Sequence, residues 1–347
     1  MTGWRSVAAA VVERFALGAP SAVEMMTEVR GGGVHRLWRL RTDAGTFAVK
    51  GLRLDAHDQE ALDLYRLAWP LEEAAARSEP SIPMAIPVLS TAQNLLEIVP
   101  DERGGERVVR VHSWVEGMNP PWTAAPLDLA DAVGRTLARI HLVGATLATA
   151  PQPATDVGLL AARPSDHWAT LVQRAEGHEW SGELRRATSA LCEAEKSVEV
   201  AAADPGPLVF AHRDVNPKNV LVATDGSPVV LDWDSAGDYF ARQELASAAL
   251  IWAGVETGEP SPESIRALIR GYRTGGGIVD RLRPEDATGW ILAWLRFTEF
   301  NVDRLLGERG SIDQTERDIA TERLRLGLAQ VRRFNESAPH WTKALSA

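Results

Sequence analysis

The chain has one cysteine, Cys192, among 347 residues. A single thiol can form neither an intrachain disulfide nor a zinc cluster, and a chain without disulfides fits a reducing compartment. Long apolar runs are also missing. Nothing approaches the roughly 20 apolar residues of a membrane-spanning helix. The run Val7 to Val12, flanked by Arg5 and by Glu13 and Arg14, is too short for a signal-peptide core. Basic charge is scarce as well. Lys and Arg number 37 against 47 Asp and Glu, for a net charge of −10. With no basic run, a nucleic-acid footprint is excluded, whereas an acidic surface suits a small cationic partner. These absences lead us to expect a cytoplasmic protein with neither membrane nor nucleic acid as partner.

What is present is enough chain for two domains. Apolar residues make up 45% and charged residues 24%, the balance of an ordinary soluble globular protein. Trp4, Ala8, Val11, Val12 and Phe15 fall at helical spacing and predict a helix over 4–17. Strand patterns follow at 22–29, 34–40 and 46–50, the last two joined by the turn signal Asp43-Ala44-Gly45. A helix is expected from about Asp55 to Trp69. After it, Pro80, Pro83 and Pro87 force an extended connection. Two more strands are predicted at 94–99 and 107–115 around a polar turn. Beyond Gly117 the periodicity is mainly helical, broken by a strand-loop-strand unit at 208–232. The pattern reads as α+β: a five-stranded, strand-rich lobe over 1–115, then a helical lobe over 116–347.

The strand-loop-strand unit carries the chemistry. Its first half reads Phe210-Ala211-His212-Arg213-Asp214-Val215-Asn216-Pro217-Lys218-Asn219-Val220-Leu221, and its second ends in Val229-Val230-Leu231-Asp232-Trp233-Asp234. Either Asp214 or Asn219 alone could simply close a turn. The ordered set, with a carboxylate, a carboxamide five residues on and a second carboxylate at a strand end, answers the needs of phosphoryl transfer. Asp214 can orient an acceptor hydroxyl and accept its proton. Asn219 and Asp232 offer the oxygen ligands that Mg²⁺ prefers against phosphates.

At these residues the chain resembles the aminoglycoside phosphotransferase family, which shares its fold with protein kinases and choline kinases. The resemblance rests on His212 to Asn219, on Leu231-Asp232-Trp233-Asp234-Ser235-Ala236-Gly237-Asp238, and on Arg242-Gln243-Glu244-Leu245-Ala246. The family more often has Asp where Glu244 stands. It implies a two-lobed protein-kinase-like fold, with an antiparallel sheet in the first lobe and helices in the second. It further implies ATP or GTP as donor with Mg²⁺. Lys50 then meets the α- and β-phosphates and pairs with a helix carboxylate, for which Glu60 is the candidate. Gly31, Gly32 and Gly33 form a flexible tip near the phosphates. The backbone near Ser113 and Val115 becomes the hinge that pairs with the base, and this leaves ATP and GTP both open. His212 and Glu244 support the catalytic loop, and His141 is structural.

The acceptor is less legible. Trp290, Trp294 and Phe297 share one helix face and could stack a sugar or a quaternary ammonium, or could equally be core. Asp234, Asp238, Trp294 and Glu299 are candidate contacts for a cationic, hydroxylated small molecule. The reading favoured is an O-phosphotransferase acting on an aminoglycoside-like antibiotic or amino sugar. A metabolic kinase for a sugar, choline or homoserine is the alternative. A nucleotide-binding module without activity is disfavoured, because Lys50, Asp214, Asn219 and Asp232 are all present.

Overall fold

The computed structural model describes residues 3–26, 36–52, 56–101, 105–147 and 160–346. The chain forms two compact units: Met1–Asn119 with Asn219–Gly237, and Pro120–Lys218 with Asp238–Ala347. One cut near residue 115 therefore does not describe it, because Asn219–Gly237 returns to the strand-rich unit.

In that unit the strands are β1 (Pro20–Met26), β2 (Arg36–Thr42), β3 (Gly45–Gly51), β4 (Pro87–Val88), β5 (Glu97–Pro100) and β6 (Glu106–Ser113). They make one antiparallel sheet in the order β1-β2-β3-β6-β4, with β5 also paired to β6. The five strands expected are present, and the short β4 is an addition. Ala44 N–H donates to Thr42 Oγ1 at 3.1 Å and tightens the expected turn between β2 and β3. Helix α1 (Gly3–Phe15) lays Val7, Ala8, Val11 and Phe15 on Trp38, Leu40, Val49, Val109 and Val111. Fully burying each such side chain stabilises the unit by roughly 1.5–3 kcal/mol.

Because strand side chains alternate, Val109 and Val111 face α1 while Val108 packs in a second cluster with Leu52, Ala56 and Leu62. Helix α2 (Gln59–Ala76) supplies Leu62 to that cluster. It starts where Asp58 caps Ala61 N–H at 3.1 Å, and it continues through Pro70 past the expected end at Trp69. Buried Leu71 and Ala75 hold the extension against the break that a proline favours. That extra stretch carries Glu72. A hairpin, Val220–Val222 with Pro228–Val230, completes the unit.

The second unit holds α3 (Leu127–Ala145), α4 (His167–Arg174), α5 (Ser181–Ala202), α6 (Ala241–Trp252), α7 (Pro262–Thr274), α8 (Thr288–Leu305) and α9 (Gln314–Leu345). A small ribbon pairs Leu208–Ala211 with Gly237–Phe240. Helices α3 and α7 touch backbone to backbone. A Cβ on Gly134 would lie 2.0 Å from Leu268 O, and one on Gly271 would lie 1.9 Å from Asp131 O. That approach brings His141 of α3 to Tyr272 of α7. Helix α9 begins with a reciprocal cap between Asp313 and Glu316. No described helix is long and apolar enough to cross a membrane.

Candidate active site

The register of β3 on β6 sets Lys50 directly opposite Arg110. Two cations at facing positions repel unless they are neutralised. Asp234 does this from the loop after Leu231: its Oδ2 accepts from Lys50 Nζ at 2.5 Å, and its Oδ1 accepts from Arg110 Nη1. Arg110 Nη2 donates to Glu72, whose other oxygen lies 2.7 Å from His112 Nε2. Lys50 donates a further bond, 2.8 Å long, to Asp232 Oδ1.

The side chains of Arg110 and Glu72 are each only 2% exposed. Burial alone would push the Asp234 and Glu72 carboxyls up. The Arg110 and Lys50 charges beside Asp234, and the Arg110 and His112 charges beside Glu72, more than reverse this and hold both below the usual carboxylate range. Burial would likewise discharge Lys50, but Asp234 and Asp232 outweigh it and raise its pKa.

The expected partner of Lys50, Glu60, is exposed in the first turn of α2 and does not reach it. The correction has a simple cause. Asp232 and Asp234 already satisfy the ammonium, and the buried carboxylate of α2 is Glu72, spent on Arg110. Asp234 is corrected too, because a carboxylate closed between two cations is not open to an acceptor.

Asp232 sits at φ +56°, a left-handed conformation uncommon outside glycine, with its side chain 41% exposed. Leu231 N–H donates to Asn219 C=O at 2.8 Å, which sets Asn219 beside the residue preceding Asp232. Among the described residues no group of three or more His, Cys, Asp or Glu forms a metal cage. Asn219 and Asp232 supply an amide and a carboxylate oxygen, the donor types that suit Mg²⁺, which takes one or two protein ligands and keeps water and phosphate for the rest.

At the expected hinge, Ser113 is knitted to Ile86 by two bonds of 2.8 Å, and Trp114 N–H donates to Thr46 O at 3.0 Å. Val115 just beyond makes no hydrogen bond among the described residues. Gly31, Gly32 and Gly33 lie outside the described residues.

In the helical unit, Asp214 Oδ1 accepts from Asn216 Nδ2, and its Oδ2 is 3.1 Å from Lys218 Nζ. The Asp214 side chain keeps 30% of its surface in solvent. Buried His212 accepts Asp214 N–H on Nδ1 at 3.3 Å. Trp252 Nε1–H holds Val215 O at 3.1 Å from α6. Arg213 turns the loop at φ +66°, and its N–H donates to Glu244 Oε1 at 2.5 Å. Glu244 Oε2 lies 2.7 Å from His141 Nε2, and His141 Nδ1 lies 2.7 Å from Tyr272 Oη. Glutamate thus spans from α6 to the loop although the family more often uses the shorter aspartate. Burial raises the Glu244 carboxyl, but His141 and the Arg213 N–H bring it below its ordinary value.

The remaining acceptor candidates divide. Asp238 has a buried Oδ1 without a partner, and burial pushes its carboxyl up against the pull of Arg213. Trp294 is half-buried, with Trp290 at 6.0 Å and Phe297 edge-on at 5.4 Å. Trp290 itself is core, stacked on Phe334 of α9 at 5.5 Å. Glu299 is corrected: it is buried and held by Arg163, His167 and Arg296 at 3.0–3.1 Å, so no charge is left for an acceptor.

Four residues went unassigned in the sequence. Lys218 lies four after Asp214, a spacing that could have flagged it. Arg110 is a lone charge in Val108-Val109-Arg110-Val111, and burying a charge demands partners. Glu72 carried no signal, since α2 was expected to end before it. Glu256 lies in a short turn, Val255–Thr257. Burial raises its carboxyl, with Lys218 and Arg333 pulling the other way.

The comparisons agree with this fold. A spectinomycin phosphotransferase in complex with ADP and spectinomycin superposes with a TM-score of 0.64 over 96% of this chain and 98% of its own, at 11% identity. A microcompartment-associated aminopropanol kinase gives 0.57 over 95% and 97%, at 16% identity. A choline kinase from Streptococcus pneumoniae gives 0.52 over 91% and 95%, at 16% identity. Identities this low speak for a shared fold alone. No curated protein matches the chain. The family model described as "Phosphotransferase enzyme family" matches residues 26–282, most of the chain and every polar group described above except those on α8 and α9, and the chain accordingly belongs to that family.

Proposed function

We propose that this protein transfers the γ-phosphoryl group of ATP or GTP to a hydroxyl of a small ammonium-bearing acceptor, an aminoglycoside-like compound or an amino sugar. The observation that carries the reading is Asp214, partly open to solvent and held from both sides by Asn216 and Lys218. A carboxylate so fixed can orient a hydroxyl and accept its proton as the new O–P bond forms and the bond to the leaving nucleoside diphosphate breaks. Lys218 adds positive charge where phosphoryl charge develops. Lys50 meets the donor's phosphates, and the free backbone groups of Val115 receive its base. Asn219 and Asp232 would hold Mg²⁺, which when bound offsets the charge of the β- and γ-phosphates.

Glu256 supports the cationic acceptor. It is a carboxylate within electrostatic reach of Lys218, whose ammonium adjoins Asp214. Asp238, with an unpartnered buried oxygen, is a second such group. The superposed kinases act on spectinomycin, aminopropanol and choline by their names, which supports amine-bearing hydroxyl compounds without choosing one.

The test is an acceptor screen with Mg·ATP, covering aminoglycosides, amino sugars, amino alcohols and neutral sugars, with Asp214→Ala as the blank. Phosphorylation confined to ammonium-bearing alcohols is expected. Turnover of neutral sugars alone would overturn the cationic reading. Turnover of one simple metabolite and of no antibiotic would make this a metabolic kinase.

A further inference from the structure

Lys50 has no carboxylate from the exposed start of α2, yet it is fixed. Following its bonds outward gives an unbroken chain of buried and part-buried polar contacts: Lys50 to Asp234, Asp234 to Arg110, Arg110 to Glu72, and Glu72 to His112. Every link lies within the strand-rich unit. The chain begins at the far half of α2, beyond Pro70, and ends at the one lysine of β3. From this geometry we infer that Arg110 is a positioning residue for the nucleotide: anchored by Glu72, it fixes Asp234, and Asp234 keeps Lys50 aimed.

An arginine suits this place: its planar fork reaches Asp234 with Nη1 and Glu72 with Nη2 and fixes the angle between them, where an ammonium would leave it free. The arrangement also solves a problem peculiar to this site. Lys50 shares itself between Asp234 and Asp232, and Asp232 is the residue a metal would claim. Once Asp232 turns to other work, Asp234 is what remains to hold the ammonium in place. Asp234 can do so only if it is itself immobile, and Arg110 makes it immobile. The helix thus controls the lysine through one intermediary strand residue, rather than by touching it.

The inference rests on the reading that Lys50 meets the nucleotide phosphates, so Lys50→Met is the control. The decisive variant is Glu72→Gln with Arg110→Met in one chain. Removing both members of a buried ion pair avoids the unpaired charge that a single change would leave, and is often neutral for folding. Two readouts are taken: calorimetric titration with a non-hydrolysable ATP analogue, and steady-state kinetics at varied nucleotide and varied acceptor. At metal sites, loss of a partner that orients a ligand weakens the site by about 10- to 100-fold, and a loss at the low end of that range is expected here. The expected result is a Kd and a KM for nucleotide raised about tenfold, the acceptor KM unchanged, and an unchanged melting temperature.

A folded double variant with wild-type nucleotide affinity would overturn the inference. Glu60→Gln tests it separately, whether or not the double variant folds. It should bind nucleotide as the wild type does. Were it to match the loss in Lys50→Met, Glu60 would be the working partner and the relay would be discarded. If Lys50→Met itself left nucleotide binding intact, the nucleotide reading would fail first.

Discussion

Asp234 and Glu72 of the strand-rich unit and Asp214 of the helical unit are held in opposite ways. In the strand-rich unit, Glu72 is buried and Asp234 only 14% exposed; Asp234 sits between Lys50 and Arg110, and Glu72 between Arg110 and His112. In the helical unit, Asp214 retains 30% exposure, with Lys218 and Asn216 among its partners. The first arrangement has little freedom, because moving any member would strand a charge in a low-dielectric interior. The second can exchange its partners for a substrate at small cost. The contrast teaches which groups are scaffold and which are poised to react: burial marks the former, and access to solvent marks the latter.

Asp214→Ala tests the poised side and carries the largest expected effect. Loss of a positioned base costs about 10²–10⁴-fold in kcat, and the removal of Lys218's partner in the same step places the expected loss toward the upper end. Nucleotide Kd should stay within a factor of about two, because the groups assigned to the donor lie elsewhere in the sequence. If Kd rose as steeply as kcat fell, Asp214 would belong with the scaffold and the contrast would collapse.

Glu244→Ala tests whether the helical unit has a scaffold of its own. It would leave the Arg213 N–H and the His141 ring without their acceptor in a buried setting. Removing one partner of a buried charged network destabilises by about 3–5 kcal/mol. Chemical denaturation at pH 7 should show a loss of that order. Glu244→Gln keeps an oxygen for Arg213 and should lose less. Equal stability in all three forms would mean that the network does not hold the loop.

Much of this is legible in the sequence itself. The order of strands and helices follows from periodicity; Asp214, Asn219 and Asp232 are singled out as candidates by their spacing within one loop unit, and Lys50 only by the family resemblance. The pairings are not legible there. Glu60 is the natural partner for Lys50 by its place in α2, but partner choice depends on which side chains the sheet register sets face to face, and Lys50 opposite Arg110 is a matter of register. Glu72 is hidden because Pro70 suggests an end to α2, and only tertiary burial of Leu71 and Ala75 carries the helix past it. Glu299 misleads for the same reason: its partners Arg163 and His167 are more than a hundred residues away in sequence.

Glu256→Gln offers the finest test, since Glu256 lies between the two types. It is buried enough for its carboxyl to be pushed up, yet it has only partial compensation from Lys218 and Arg333. A carboxyl whose folded pKa exceeds its unfolded value binds its proton more tightly when folded. The stability this confers is present below the unfolded pKa and lost as pH rises through the raised folded pKa. Glutamine has no such loss. The variant should therefore gain on the wild type as pH rises through that window, and keep its lead at neutral pH, in melting curves recorded across pH. Acceptor binding should move the other way. Without the carboxylate an ammonium acceptor loses its counter-charge, and its KM should rise about tenfold, the equivalent of roughly 1.4 kcal/mol, with kcat nearly unchanged. A variant both more stable and less avid marks a group kept for its substrate at the expense of the fold. If the KM stays put while stability rises, Glu256 is a strained bystander, and the acceptor's charge is met by Asp238 instead.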